Sequence, residues 1–201
     1  VLVVPISHTH YLVPPTGLGY LATALRQSGF TDITILDCVK EGLSFNGLSE
    51  RFRKLKPKIV GFQVFSYDFD SVVRSIGILK KVCPETTILI GGAHVSATSM
   101  TVLEEIEEAD YGFAGEGEIG LPMLAKHILR DEIIPLESIP GLIWRNGSSI
   151  CNNERAGTED LDSLGFQAWD LMEPVSYNGS PQGGFYKRFP IAPISTTRGC
   201  P

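Results

Sequence analysis

Ile88-Leu89-Ile90-Gly91-Gly92-Ala93-His94 decides how the rest of the chain is read. Three consecutive aliphatic residues read as a strand buried on both faces, the kind found in parallel sheets covered by helices. Two glycines follow where that strand ends. In an open α/β sheet, ligands sit just outside the carboxyl ends of the strands. Gly91 and Gly92 remove two Cβ atoms at that place, so a flat or bulky ligand can lie against the backbone. A plain strand-to-helix turn would use the same glycines, and this stretch alone leaves the two readings level.

Working outward, similar apolar runs recur at Val1 to Val4, Ile33 to Leu36 (ending at Asp37), Ile59 to Phe65 and Tyr111 to Ala114. Stretches of helical period lie between and after them. The first carries Leu18, Leu21, Ala22 and Leu25 on one face and closes near Gly29. The second carries Leu48, Phe52 and Leu55, with Asn46 as the expected cap and Pro57 as the stop. A third, begun by Asp68 or Asp70, carries Val72, Val73, Ile76 and Leu79. A fourth, preceded by Ser96 or Ser99, carries Val102, Leu103 and Ile106. A fifth carries Leu121, Leu124, Ile128 and Leu129. Five strands alternating with five helices predict an α/β, Rossmann-like (flavodoxin-like) fold, a five-stranded parallel sheet with helices on both faces. The strand order 2-1-3-4-5 is expected by analogy with five-unit sheets.

The pattern changes after residue 132. Leu142 to Arg145, Asn146-Gly147 and Ser149 to Cys151 predict a hairpin on an Asn-Gly turn. Residues 152–190 read as a polar, Gly- and Pro-rich linker held by isolated aromatics, and Ile191 to Thr196 as one more strand. The expected units are therefore 1–132, 133–190 and 191–201. With 201 residues, 43% of them hydrophobic, the chain is long enough for a proper core. A net charge of -6 argues against a nucleic-acid surface. No apolar run reaches membrane-spanning length, no signal peptide is expected, and four scattered cysteines form no disulfide framework. A reducing cytoplasm is the expected location.

Several motifs carry candidate chemistry. Gly17-Leu18-Gly19-Tyr20-Leu21-Ala22 fits G-x-G-x-x-A, with Asp37 downstream, but a dinucleotide fingerprint should follow the first strand immediately. Here a loop of Pro-Ile-Ser-His-Thr-His-Tyr-Leu-Val-Pro-Pro-Thr intervenes. Close packing of the helix through small residues, or a wide loop with room for a larger ligand, are the competing readings. Gly115-Glu116-Gly117-Glu118 sets two carboxylates at a strand end beside a helix start. They either serve the helix dipole or meet amide and hydroxyl groups of a ligand. His8 and His10 alone have metal-like spacing, and His94 falls on the ligand-facing edge. Cys200, in Arg-Gly-Cys-Pro after a strand, looks like the first ligand of a longer cluster motif.

Together these pieces resemble the amino-terminal part of cobalamin-binding radical S-adenosylmethionine enzymes. The resemblance rests on Pro14 to Ala22, Lys58-Ile59-Val60-Gly61-Phe62, Gly91-Gly92-Ala93-His94, Gly115-Glu116-Gly117-Glu118, Ile139-Pro140-Gly141-Leu142, Asp160 to Leu164 and Ser195 to Pro201, in that order. It implies a cobalamin domain followed by a linker into a β/α barrel. Gly17, Gly19, Ser66, Tyr67, Gly91, Gly92, His94, Gly115, Glu116 and Gly117 are the implied cofactor contacts. Cys200 would open C-x3-C-x2-C, whose thiolates hold a 4Fe-4S cluster that binds and reduces S-adenosylmethionine. The expected partners are thus cobalamin and the radical barrel that would continue the same chain. This stretch alone is expected neither to hold the cluster nor to run radical chemistry. The resemblance implies methyl transfer to an unactivated carbon or to phosphorus, with a radical cyclisation or rearrangement as the near alternative. A non-catalytic nucleotide-binding module is the alternative of another class. Two departures matter: no D-x-H-x-x-G motif supplies a histidine to cobalt, and Gln63 stands where the family often has serine.

Overall fold

The computed structural model describes residues 1–8, 12–157, 160–177, 187–195 and 197–198. Its strands are β1 (Leu2–Val4), β2 (Ile35–Asp37), β3 (Ile59–Gln63), β4 (Thr87–Gly91), β5 (Tyr111–Phe113), β6 (Leu142–Asn146) and β7 (Ser149–Asn152). They form one sheet in the order β2-β1-β3-β4-β5-β6-β7. The first five are parallel in the expected 2-1-3-4-5 order. The sheet has seven strands rather than five, because the hairpin joins it. β6 pairs antiparallel with β5, setting Trp144 opposite Tyr111 and Leu142 opposite Phe113.

The helices are α1 (Thr16–Gln27), α2 (Phe45–Leu55), α3 (Phe69–Val82), α4 (Ala93–Thr98), α5 (Thr101–Glu105), α6 (Gly120–Arg130) and α7 (Trp169–Met172). Strand side chains alternate between two cores. Val3, Val60, Phe62, Ile88 and Ile90 share one with Leu48 and Phe52 of α2 and Ile76 and Leu79 of α3. Leu2, Leu89, Phe113 and Leu142 share the other with Leu18, Ala22 and Leu25 of α1 and Leu121 and Leu124 of α6. Helices therefore cover both faces, which is why the parallel strands read as unbroken apolar runs.

Three local expectations are corrected. Ser44, not Asn46, caps α2: its side chain accepts from the Gly47 amide at 3.2 Å, and Asn46 already lies inside the helix. Ser96 does not start the helix carrying Val102 and Leu103 but sits within α4, a short turn entered through Gly92, whereas Ser99, the other expected residue, lies just before α5. Ile191 to Ser195 form no strand, having no neighbour to pair with among the described residues; Thr196 lies outside them. Part of the expected linker is ordered against the sheet domain. Residues 160–177 pack back on α1 and the end of β2: Thr23 Oγ1 donates to the Phe166 carbonyl at 2.7 Å, and Tyr177 Oη donates to Asp37 Oδ2 at 2.8 Å. Burial first, then the Asp37 carboxylate, push the Tyr177 hydroxyl well above its ordinary pKa. Asp37 also accepts from the Val39 and Lys40 amides at 3.1 and 2.9 Å, so its role is structural rather than ribose binding.

Candidate functional site

A cavity of about 410 Å³ opens at the carboxyl ends of β1, β3, β4 and β5. It lies on the α1/α6 side of the sheet. Its floor is Leu2, Gly61, Leu89 and Phe113, and Leu18, Leu21 and Leu121 form its helical wall. Gly61 is a mid-strand glycine whose missing side chain deepens the floor; a Cβ there would meet only Leu2 Cδ2, at 3.3 Å. Gln63 lies two residues on, so it stands on the same face. Gly17, in the first turn of α1, borders empty space, with no atom within 4 Å of a built Cβ.

The backbone around the mouth is tied strand to strand. Gly92 leaves β4 at φ +111°, and a Cβ there would lie 2.9 Å from the Val64 carbonyl oxygen. That same carbonyl accepts from the His94 amide at 3.2 Å, while the Val64 amide donates to the Gly91 carbonyl at 2.7 Å. Ser96 Oγ donates to the Gly92 carbonyl at 2.9 Å and accepts from the Gly115 amide at 2.9 Å. The exits of β4 and β5 are thereby held at one spacing, and only glycine fits the first of them.

Six of the expected contacts, Gly17, Gly91, Gly92, Gly115, Glu116 and Gly117, line this cavity. Gly19, Ser66, Tyr67 and His94 do not line it. Gly19 faces the linker, where a Cβ would meet Met172 Cε at 2.7 Å and Gln167 Cβ at 2.9 Å. Its smallness serves close helix packing. Ser66 Oγ and His94 Nδ1 lie 3.0 Å apart, and the imidazole packs against Phe69 with ring centroids 4.9 Å apart. His94 Nε2 is buried without a hydrogen-bond partner among the described residues. Tyr67 is exposed and stacks on Phe65, centroids 5.4 Å apart. His10 and Cys200 lie outside the described residues, among which no group of metal-ligating side chains converges.

Thr16, Tyr20, Gly61 and Arg198 also line the cavity and were not singled out as contacts. Gly61 had a legible signal, a glycine inside a strand. Arg198 had none. Its Nη2 lies 2.7 Å from Glu118 Oε1, its Nη1 3.5 Å from Glu116 Oε2, and its guanidinium carbon 4.8 Å from the centre of the Tyr20 ring. Burial alone would lower the pKa of Arg198; the Glu118 hydrogen bond and the charges of Glu118 and Glu116 outweigh it and hold the guanidinium above its ordinary value.

The model of the B12 binding domain family matches residues 2–125. An anaerobic magnesium-protoporphyrin IX monomethyl ester cyclase of Cereibacter sphaeroides is 28% identical over 190 residues, covering 94% of this chain and 30% of its own length. An uncharacterized methyltransferase of Pyrococcus horikoshii is 27% identical over 192 residues, covering 94% of this chain and 39% of its own. Among solved structures, the radical S-adenosylmethionine methyltransferase TsrM of Kitasatospora setae, with cobalamin and a [4Fe-4S] cluster bound, superposes with TM-score 0.66 at 24% identity. It covers 79% of this chain and 29% of that one. The cobalamin-dependent S-adenosylmethionine radical enzyme OxsB, with aqua-cobalamin and S-adenosylmethionine bound, gives TM-score 0.68 at 16% identity over 78% of this chain and 22% of that one. These two likenesses show the fold. The chain thus spans 30% and 39% of the lengths of these two curated relatives. No helix among the described residues is long and apolar enough to cross a membrane.

Proposed function

The chain belongs to the B12 binding domain family, and from that premise we propose that the strand-end cavity takes the nucleotide tail of cobalamin while the corrin lies over its mouth. The observation that carries this is the shape of the slot. A corrin with its amide arms is far too large for about 410 Å³, whereas a heteroaromatic base with its ribose suits that space. Gly17 and Gly61 leave room where side chains would fill it. Leu18, Leu21 and Leu121 exclude water from the base. Gln63 offers an amide donor and acceptor on the same face as Gly61. Gly91, Gly92 and Gly115 let the ligand approach the strand ends closely.

Bound cobalamin supplies a cobalt centre that can carry a methyl group. This chain's part is to hold that centre in place and keep its tail dry. Among the described residues no histidine lines the cavity, so none of them would offer cobalt an imidazole from it. The whole protein is a radical S-adenosylmethionine enzyme in this reading, with Cys200 as the first cluster ligand, and its reaction is methyl transfer. Cyclisation is the second reading, favoured by the match to the Cereibacter sphaeroides cyclase over 94% of this chain.

Titration with hydroxocobalamin, followed in the visible spectrum, tests the domain. A saturable base-off spectrum is the expected result. Absence of spectral change, with a melting shift on adding free nucleotides instead, overturns the reading in favour of a nucleotide-binding module. For the whole protein, methyl-labelled S-adenosylmethionine separates the two reactions: label enters the product in methyl transfer and not in cyclisation.

A further inference from the structure

We propose that Arg198 is a positioning residue that latches the chain leaving the domain across the mouth of the cavity, so that closing this segment and holding the ligand are one coupled event. Among the described residues, only Ser195 and Arg198 reach the cavity from beyond the B12-matched residues 2–125. Ser195 is exposed, so Arg198 makes the anchoring contact.

The socket that receives it is built from two elements on either side of the mouth. Tyr20 comes from α1, and Glu116 and Glu118 from the loop between β5 and α6. Glu118 is the decisive member. Its side chain is only 6% exposed, and a carboxylate taken that far out of water needs a cation beside it. Arg198 provides that cation at 2.7 Å while remaining only 19% exposed itself. The planar guanidinium can serve two carboxylates and an aromatic face at once, which an ammonium cannot do with the same geometry.

Undocking the segment would take the Arg198 guanidinium away from Glu118 Oε1. The latched state is therefore favoured even without ligand, and breaking one partner costs more than at an exposed pair such as Arg26 with Asp170. A ligand seated under the segment must wait for it to lift before leaving. By linkage, whatever the closed segment adds to ligand affinity, the ligand adds to closure.

The ligand half of this inference rests on the cobalamin reading, and the test keeps the two apart. Arg198→Gln, Arg198→Lys, Glu118→Gln and the double variant R198Q/E118Q are compared with the parent. Without ligand, trypsin cleavage after the exposed Lys187 and Arg188 reads out the latch. The expected result is cleavage about tenfold faster in Arg198→Gln, equivalent to ~1.4 kcal/mol. Arg198→Lys should fall between. With hydroxocobalamin bound, a chase measures its dissociation. Arg198→Gln should release it about tenfold faster, with no further increase in the double variant. Parent-like cleavage in Arg198→Gln overturns the latch. Faster cleavage with unchanged dissociation overturns the coupling. If the parent itself takes up no hydroxocobalamin, the cofactor reading fails and the cleavage rates still decide the latch.

Discussion

Replacing Gly17 with leucine should move stability and ligand binding in opposite directions. Gly17 is the second residue of α1 and its backbone is helical, so a side chain there relieves the entropic cost of a helical glycine. Leucine ranks near alanine and glycine about 1 kcal/mol below it in a helix interior. At this frayed end a gain of about 0.5 kcal/mol is expected, or roughly 1–2 °C for a chain of this size. No atom lies within 4 Å of the new Cβ, so no clash cancels that gain. The same empty space borders the cavity. Four carbons placed there compete with the tail, and an affinity loss of at least about tenfold, ~1.4 kcal/mol, follows. Urea unfolding gives the first quantity and hydroxocobalamin titration the second. Gly17→Ala is the control, with a similar helix gain and a smaller loss of affinity. A stabilised Gly17→Leu protein with unchanged affinity would refute the placement of the tail in this slot.

Three further outcomes are expected. Gly92→Ala should cost about 3 kcal/mol in urea unfolding, because φ +111° strains any side chain and the Cβ meets the hydrogen-bonded Val64 backbone at 2.9 Å; a loss below about 1 kcal/mol would contradict this. Burial first, then Asp37 and Glu41, push the Cys38 thiol up to about 12. Iodoacetamide at pH 8 should therefore label half-buried Cys83 and Cys151 in the folded protein and Cys38 only in denaturant, as peptide mapping would show. Burial also raises the carboxyl of Asp68 above its ordinary value, against a smaller lowering by the Ser7 hydroxyl. An acid raised in the fold costs stability above its folded pKa, and that cost vanishes as pH falls through it. Asp68→Asn should thus be the more stable form at pH 7, with the gap closing in acid; a less stable variant at pH 7 contradicts the assignment.

The parallel half of the sheet was legible because its strands are buried on both faces, so Val1 to Val4 or Ile88 to Ile90 need no partner to be recognised. The hairpin was legible too, through Asn146-Gly147, but its docking was not. An Asn-Gly turn specifies which two strands pair with each other and says nothing of which edge receives them. That is decided by contacts distant in sequence. Arg145 is one such contact: its Nη2 donates to the Leu103 carbonyl at 2.6 Å, closing the carboxyl end of α5.

The site divides along a similar line, and Gly17 and Gly19 show why. Read as a loop motif, both glycines face one ligand. Once the segment is a helix, residues two apart point about 200° away from each other. One glycine must then face the cavity and the other the linker, and Gly19 does meet Met172 and Gln167. The same geometry separates Gly92 from His94: the chain turns into α4 between them, and the imidazole goes to Phe69 rather than to the slot. Motif spacing thus pointed to the strand-end cavity, while secondary structure decided which members of each motif line it. Glu116 and Glu118 add a different lesson. Neither expectation for them, helix dipole or ligand, included a cation from the far end of the chain, because a pair so distant in sequence leaves no local pattern. The buried state of Glu118 is what demands it, and burial is a property of the folded chain.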